Sequence, residues 1–345
     1  MKRTPDDYAE RQARIARFRL NSHLRKKHKK PKKVEPLASI LNRKIFYFSE
    51  HCSFAQKYID ESLGCLKELR DLAKSGDRIL LDFSRTEWMT ATFGVYLYAE
   101  VESLIDECGD DSLYLNIQSL PRNLRFILKE SGILRLINHD FLSAGKKGFL
   151  PILCGTKDDE IDMIIEYIVR MAELNGHLNP KDKAQAELLT SRAITEAMLN
   201  VDYHAYPGRT KDKFWWFTSM IYNNDLYISL CDRGVGIHKT LPRADWWEAA
   251  MGRLPINDDA EMIQAAMAYT RTAHRHKKGR GLGTKDMQNL VLERNEGFMT
   301  IVSGRGHYTL NAKEPKKKEK IYKTKSPVFG TIVNWRIPLG KKDEK

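Results

Sequence analysis

The order of the predicted secondary-structure elements changes near residue 150, and this change constrains the fold more than any other feature of the sequence. Ahead of it, apolar strands alternate with helices: strands are predicted at 44–50, 78–84 and 112–117, and helices at 54–74, 93–107 and 121–137. Such alternation is typical of a sheet that is covered by helices. We therefore expect an α/β domain over residues 37–148.

Beyond residue 150 the helices come first and the strands follow. Apolar periodicity predicts helices at 159–176 and 183–206, and strands at 214–222, 226–232, 298–304 and 329–339. Consecutive strands with hairpin-like joins favour antiparallel pairing. The expected second domain, over residues 149–340, is thus an α+β sandwich with a mostly antiparallel sheet, followed by a charged tail at 341–345.

The first 36 residues form a basic arm. They contain 13 Lys and Arg against four Asp and Glu, which is most of the excess in a chain of net charge +13. Thr4 and Pro5, followed by two aspartates, are a helix-start signature, so a helix is predicted over 5–24 with an extended linker after it. The basic residues within 2–33 would contact nucleic acid or an acidic partner, or would serve only as a solubilising or docking arm.

The composition excludes several classes of protein. Five cysteines without any Cys-x-x-Cys pair speak against a zinc site or a disulfide framework. No segment approaches the roughly 18 consecutive apolar residues of a membrane span, and the N-terminus lacks the apolar stretch of a secretory signal. We therefore expect a soluble, cytoplasmic protein that does not bind membranes.

A stripe of polar residues interrupts the apolar face of the helix predicted at 183–206. Glu196, Asn200 and His204 are each four residues apart, so on a helix they would lie one above another. The residues between them carry the packing. A polar stripe in this position indicates that the face meets a ligand.

Two further clusters follow at glycine-rich turns. Asp232 ends a predicted strand and is followed by Gly234 and Gly236, and the segment 279–283 reads Gly-Arg-Gly-Leu-Gly just ahead of a helix. Glycine lets a chain turn closely past a ligand because it lacks a Cβ atom. Each cluster alone is a weak signal, but together the three clusters describe one ligand.

In order and spacing, the three clusters closely resemble the N, G1 and G2 boxes of the GHKL ATPase superfamily, which includes DNA gyrase, sensor histidine kinases, heat-shock chaperones and mismatch-repair ATPases. The match is best with the anti-sigma factor serine kinases, whose first box has the form Glu-Ala-x-x-Asn-x-x-x-His-Gly/Ala-Tyr, as 196–206 does here. The resemblance extends to Gly330-Thr331, where the family places a Gly-Thr pair near the adenine. It implies a Bergerat-type ATP-binding fold with ATP and Mg²⁺ as ligands.

The resemblance implies a role for each cluster, and the side-chain chemistry agrees with it. Asn200 would be the protein ligand of Mg²⁺, Glu196 the catalytic base, and Asp232 the acceptor for the adenine amino group. His204 would contact phosphate oxygens or simply pack on the helix. The remaining nucleotide contacts would come from Gly234, Gly236, Gly279, Arg280, Gly281, Leu282, Gly283 and Thr331.

The first domain resembles the STAS domain of anti-sigma factor antagonists. The similarity rests on the segments 80–104 and 120–137, with an Asp-ending strand, a short turn ahead of a helix, and a late helix with a Ser-Gly-Ile step. That family often presents a phosphorylatable Ser in the turn, whereas this chain has Met-Thr-Ala-Thr-Phe-Gly there. Thr90 and Thr92 are therefore either phosphoacceptors at a helix N-terminus or ordinary N-cap residues. The resemblance implies a protein-binding module.

These features lead to one preferred function and two alternatives. The preferred function is a Mg-ATP-binding regulatory protein, in which ATP binding or slow hydrolysis switches contacts with a partner protein through the STAS-like domain. The alternatives are a protein Ser/Thr kinase resembling the anti-sigma factor kinases and, ranked lower, a nucleic-acid-associated ATPase that acts through the basic arm. A sensor histidine kinase is disfavoured because residues 158–175 contain no phosphoacceptor histidine. A homodimer is expected by analogy alone.

Overall fold

The computed structural model describes residues 42–118, 120–138, 149–155, 161–174, 183–209, 213–243, 256–269, 283–313 and 318–339. The basic arm with its predicted helix lies outside these residues, and so do the tail at 341–345 and most of the third polar cluster, 279–282. The described part is a mixed α/β structure that contains a five-stranded antiparallel sheet.

Residues 42–138 form a layer of short parallel strands and helices, which we call the N-terminal layer. Its strands are Lys44–Tyr47 (β1), His51–Cys52 (β2), Ile79–Asp82 (β3), Trp88–Met89 (β4) and Leu113–Leu115 (β5). Its helices are Ile59–Lys74 (α1), Ala91–Cys108 (α2), Arg122–Ser131 (α3) and Ile133–Asn138 (α4). The main sheet has the order β1–β3–β5, and β2 pairs with β4 in a second, smaller sheet. Strands and helices alternate here as the sequence predicts.

The single helix predicted over 121–137 is in fact two helices. Gly132 ends α3 with a left-handed φ of +92°, a conformation that other residues resist because of their Cβ atom. The chain then changes direction into α4. As a result, Leu128 before the break and Ile133 after it are both completely buried.

The larger sheet is built from five antiparallel strands. They are Phe149–Gly155 (β6), Trp215–Tyr222 (β7), Asp225–Asp232 (β8), Phe298–Asn311 (β9) and Lys318–Pro338 (β10). Their order across the sheet is β6–β7–β8–β10–β9. Strands β7 and β8 begin within one residue of the predicted positions, because each is mainly apolar and aromatic.

Two parts of this sheet are absent from the sequence prediction. Strand β6 contains Pro151, which cannot donate a ladder hydrogen bond; the strand forms because it lies at the edge, with a register shift between Leu150 and Leu153. The hairpin of β9 and β10 also extends well beyond the predicted strands, through residues 305–311 and 318–328. Exposed lysines in the second of these segments hide its alternating pattern.

Helices cover one face of the large sheet, which we call the helical face. They are Ile161–Leu174 (α5), Lys183–Asn200 (α6), Ile237–Thr240 (α7), Asp259–Tyr269 (α8) and Gly283–Leu292 (α9), with a π-helical turn at Val201–Ala205 and a 3₁₀ turn at Leu241–Arg243. Residues of α5, α6, α8 and α9 share one core with alternate sheet residues such as Phe217, Leu230 and Trp335. Among the described helices, none combines the length and apolar character needed to cross a lipid bilayer.

The N-terminal layer covers the opposite face of the same sheet, which we call the layer face. Helix α2 packs against β7 and β8, and α1 packs against β10. The intervening sheet residues, among them Trp216, Cys231 and Ile332, are buried in one core with the N-terminal layer. Because successive strand residues point to opposite faces, each long strand serves both cores. The large sheet is therefore the middle of three layers.

Candidate functional site

The end of β8 holds a buried carboxylate on the helical face. Asp232 is only 4% exposed, and its Oδ1 accepts a hydrogen bond from the Gly234 amide at 2.7 Å. The amide and the hydroxyl of Thr331, on the neighbouring strand β10, also donate to this carboxylate. Burial nevertheless dominates and raises the pKa of Asp232 to about 7. Such a carboxylate gains stability from any further N–H donor that a ligand brings.

Glycines bring the turn after β8 into direct contact with the end of the polar stripe. A Cβ atom on Gly234 would lie 2.1 Å from the carbonyl oxygen of Ala205, and the Val235 amide donates to that same oxygen at 2.8 Å. On the other side, Gly330 has φ of +80°, and a Cβ atom there would lie 2.1 Å from the backbone oxygen of Asp232. The first and second polar clusters are thus neighbours in the structure.

The helix that carries the polar stripe is regular only as far as Asn200. From Val201 to Ala205 the chain forms a π-helical turn, so His204 lies beyond the end of the α-helix that carries Glu196 and Asn200. A π turn contains more residues per turn than an α-helix, so the regular α-helical spacing does not continue to His204. Glu196 is half-buried, whereas Asn200 and His204 are exposed. Spacing by four residues does not distinguish the two kinds of turn, which is why the sequence missed it.

Glu196 has an acidic neighbour that the sequence did not reveal. Burial raises the pKa of Glu196, and the negative charge of Asp286 raises it further. Asp286 lies in the first turn of α9, the helix that follows the third polar cluster. The side chain of Asn200 donates from Nδ2 to the sulfur of Met287, the next residue of α9, at 3.7 Å. Helix α9 therefore packs along the polar stripe.

Of the third cluster, Gly279, Arg280, Gly281 and Leu282 lie outside the described residues, and Gly283 is the first residue of α9. Helix α9 packs against α6, the helix that carries Glu196 and Asn200.

A histidine that the sequence reasoning did not single out lies beside the glycine turn. A Cβ atom on Gly236 would lie 3.1 Å from the ring of His238 and 2.9 Å from the hydroxyl of Ser303. Burial lowers the pKa of His238, although the nearby Asp259 opposes this shift. Within the described part of the chain, the buried Nδ1 of His238 has no hydrogen-bond partner. Its position two residues after Gly236 gives no sequence signal.

Arg233 connects the candidate site to the N-terminal layer. It follows Asp232 directly but points to the layer face, where it forms an ion pair with Glu100 of α2. Glu100 is completely buried, and its other oxygen accepts a hydrogen bond from Arg70 of α1 at 2.6 Å. Both guanidinium groups also lie over the ring of Phe329, at 4.2 Å for Arg70 and 6.0 Å for Arg233. A partly exposed Arg after a strand gives no hint of this network in the sequence.

The two threonines of the N-terminal layer have different surroundings. Thr90 is the N-cap of α2, and its side chain accepts a hydrogen bond from the Phe93 amide. Thr92 is buried against the layer face, where it donates to Asn334 at 2.8 Å and lies 3.0 Å from the hydroxyl of Ser229. In this arrangement Thr92 is enclosed between two layers, so only Thr90 remains near the surface as a phosphoacceptor candidate.

Comparisons with known proteins leave the family of this chain open. No family model and no curated protein matches it. Among solved structures, the chain is similar to the histidine kinase domain of a blue-light activated histidine kinase from Erythrobacter litoralis. The identity is 13%, the match covers 79% of this chain and 94% of that chain, and the TM-score is 0.23. A TM-score of this size carries no argument about fold or function.

Proposed function

We propose that this chain is a Mg-ATP-binding regulatory protein, in which ATP binding or slow hydrolysis switches the contacts of the N-terminal layer with a partner protein. The observation that best supports this is the buried carboxylate of Asp232, held beside a glycine turn that touches the end of the polar stripe. In this proposal, residues 149–340 form an ATP-binding domain of the GHKL type, closest to the anti-sigma factor serine kinases. The N-terminal layer is a STAS-like protein-binding module.

The adenine would lie on the helical face at the end of β8. Asp232 would accept the hydrogen bond of the adenine amino group, a neutral donor that suits a desolvated carboxylate. Gly234 and Gly236 would let the turn pack against Ala205 and Ser303 beside the base, and Thr331 would add its hydroxyl beside Asp232. The chemistry of these donors and acceptors therefore fits a purine base.

The phosphates and Mg²⁺ would lie along the polar stripe. The Oδ1 atom of the exposed Asn200 would share Mg²⁺ with phosphate oxygens, and the metal would neutralise phosphate charge. Glu196, whose raised pKa makes it a better proton acceptor, would be the base that activates water or a hydroxyl group. His204 and the segment Gly279-Arg280-Gly281-Leu282-Gly283 would contact the phosphates.

The route of the switch would pass through Arg233. Asp232 and Arg233 are consecutive, yet one faces the proposed base and the other holds Glu100 in the N-terminal layer. A ligand that moves this turn must also move Arg233 against α1 and α2. Contacts of the layer with a partner can thus depend on the state of the nucleotide site.

Calorimetry with Mg-ATP tests the proposed site. In Asp232→Asn the affinity should fall about 100-fold or more, because an amide presents a donor where the carboxylate accepted. The matched control is Asp225→Asn at the other end of β8, a buried aspartate that pairs with Arg336. Its affinity should stay within about twofold of the wild type. No binding heat with the wild type, or equal losses in both variants, would refute the site.

A kinase remains the second candidate because the raised pKa of Glu196 favours activation of a hydroxyl group as much as of water. The buried Thr92 makes the N-terminal layer of the same chain a poor substrate at that position, so the acceptor would be Thr90 or a residue of a partner. Incubation with ATP labelled at the γ-phosphate separates the kinase from the switch. Label transferred to protein indicates a kinase, whereas free phosphate or tightly bound, unhydrolysed ATP indicates the switch. Glu196→Ala should keep ATP binding and stop turnover; full turnover would exclude Glu196 as the base.

A further inference from the structure

A cavity lies between the N-terminal layer and the layer face of the large sheet. Its volume is about 960 Å³, and it is separate from the proposed ATP site, which lies on the helical face of the same sheet. The first turn of α2 and the loop before α1 form one wall, and residues of β7, β8, β9 and β10 form the other. This volume is at the upper end of the roughly 300–1,000 Å³ that small-molecule pockets occupy.

The walls of the cavity are largely aromatic and aliphatic. Phe54, Trp88 and Phe126 line it from the N-terminal layer, and Val302 and Ile332 line it from the sheet. Rings of this kind accommodate an apolar body of a ligand by dispersion and by removal of water from both surfaces. The cavity therefore favours a ligand with a substantial apolar part.

Several polar side chains also line the cavity, and the bonding of one of them, Asn334, limits what it can offer a ligand. Asn334 lines the cavity, and its Oδ1 already accepts from Thr92 at 2.8 Å and from Ser229 at 2.9 Å. With Oδ1 used twice, only the Nδ2 group of Asn334 can serve a ligand, and it serves as a donor. Asn334 therefore favours a ligand that carries an acceptor.

The charges around the cavity favour an anion. Among the described residues that line it there is no Asp or Glu, whereas Lys320 of β10 contributes an exposed ammonium group. The first turn of α2 also opens into the cavity, and the N-terminus of an 18-residue helix carries a partial positive charge. Each of these two features attracts a negative group, and none of the described lining side chains carries a negative charge that would repel it.

We propose that this cavity binds a small amphipathic carboxylate, with its apolar body between the aromatic wall and the sheet and its carboxylate towards Lys320. Strands β8 and β10 line the cavity on the layer face and carry Asp232 and Thr331 on the helical face. The cavity and the proposed ATP site therefore lie on opposite faces of the same two strands. Binding here requires no nucleotide, and the proposal stands whether or not ATP binds.

The test uses the full chain, with anilinonaphthalene sulfonate as a fluorescent probe and decanoate as competitor. The wild type should bind one equivalent of probe saturably, and decanoate should displace it. Lys320→Glu should weaken the binding of both by roughly 3- to 10-fold, because attraction at the rim becomes repulsion. The matched control is Lys318→Glu, an exposed lysine on the same strand that does not line the cavity; its affinity should stay within about twofold.

A second variant tests the location independently of charge. Thr300 lines the cavity from β9, so Thr300→Trp should fill part of it and lower the affinity for both ligands at least about tenfold, with an unchanged far-ultraviolet circular dichroism spectrum. Loss of binding in this variant with retained fold supports the proposal. Absence of saturable binding by the wild type, equal effects of the two lysine substitutions, or wild-type affinity in Thr300→Trp would overturn it. Mg-ATP calorimetry on the same preparations reports separately on the nucleotide site.

Discussion

The buried ion network around Glu100 predicts a loss of stability whose size depends on how far its three side chains are buried. The side chain of Glu100 is fully buried, and those of Arg70 and Arg233 are only 12% and 15% exposed. Glu100→Gln keeps the shape but removes the charge, so two desolvated guanidinium groups lose their counter-charge. Removing one partner of a buried ion pair destabilises a protein by about 3–5 kcal/mol. We expect a loss of this size in the free energy of unfolding.

The control comes from the same helix. Glu107 of α2 pairs with Lys74, and these side chains are 46% and 52% exposed, so Glu107→Gln should cost about 0–1 kcal/mol. Urea unfolding followed by tryptophan fluorescence and by circular dichroism measures both variants. If Glu100→Gln is destabilised by less than about 1 kcal/mol more than Glu107→Gln, the network is not held by desolvated charge and the reasoning fails.

A triple variant separates charge from packing. Replacing the network with apolar side chains of similar length, Arg70→Met, Glu100→Leu and Arg233→Met, removes all three charges together. Such replacements of buried ion networks are often neutral or stabilising by about 1–4 kcal/mol. Stability clearly above that of Glu100→Gln is the expected result. A triple variant as unstable as the single one would mean that hydrogen-bond geometry, and not uncompensated charge, sets the loss.

Two further predictions concern the turn after β8. Because the pKa of Asp232 is raised to about 7 from its ordinary value near 4, the folded protein binds this proton more tightly than the unfolded chain. The stability that this group contributes is therefore present at low pH and is lost between about pH 4 and 7, at about 1.4 kcal/mol per pKa unit. In Asp232→Asn the free energy of unfolding should fall less steeply across this pH range than in the wild type. Parallel curves for the two proteins would contradict the assignment. Gly234→Ala should destabilise the protein by about 2 kcal/mol or more and abolish ATP binding, because its Cβ would lie 2.1 Å from the carbonyl oxygen of Ala205. The control is Gly64→Ala, because Gly64 lies within α1 with open space around it. Thermal unfolding should show a gain of about 0.5–1 kcal/mol in the free energy of unfolding. A loss there would show that the space around the glycine does not determine the effect of these substitutions.

The parts of the fold that the sequence predicts well are those where one local signal decides the outcome. Strands β7 and β8 are mainly apolar and aromatic segments between polar turns, and their bounds match to within a residue. Strand β6 and the first half of β10 were missed because Pro151 and a run of lysines mask strand character that only pairing with a neighbour supplies. Pairing is a property of the whole sheet, so a local window cannot contain it.

In the candidate site, too, local patterns were predicted and contacts between distant segments were not. The sequence singled out Glu196, Asn200 and Asp232, and the structure brings the segments that carry them together around Ala205. It did not reveal Asp286, because no spacing rule links a carboxylate in one helix to its neighbour in another. The roles of these residues in nucleotide binding stay predictions until ligand is added.

The three-layer arrangement has a consequence for the order in which the chain can fold during synthesis. Thr92 is hydrogen-bonded to Asn334, 242 residues later, and the carboxylate of Asp60 accepts from the Lys325 amide, 265 residues later. These contacts form only after β10 has left the ribosome, so the surface of the N-terminal layer that faces the large sheet stays uncovered while more than 200 further residues are synthesised. Contacts so distant in sequence are slow to form, so we expect slow docking of the two parts.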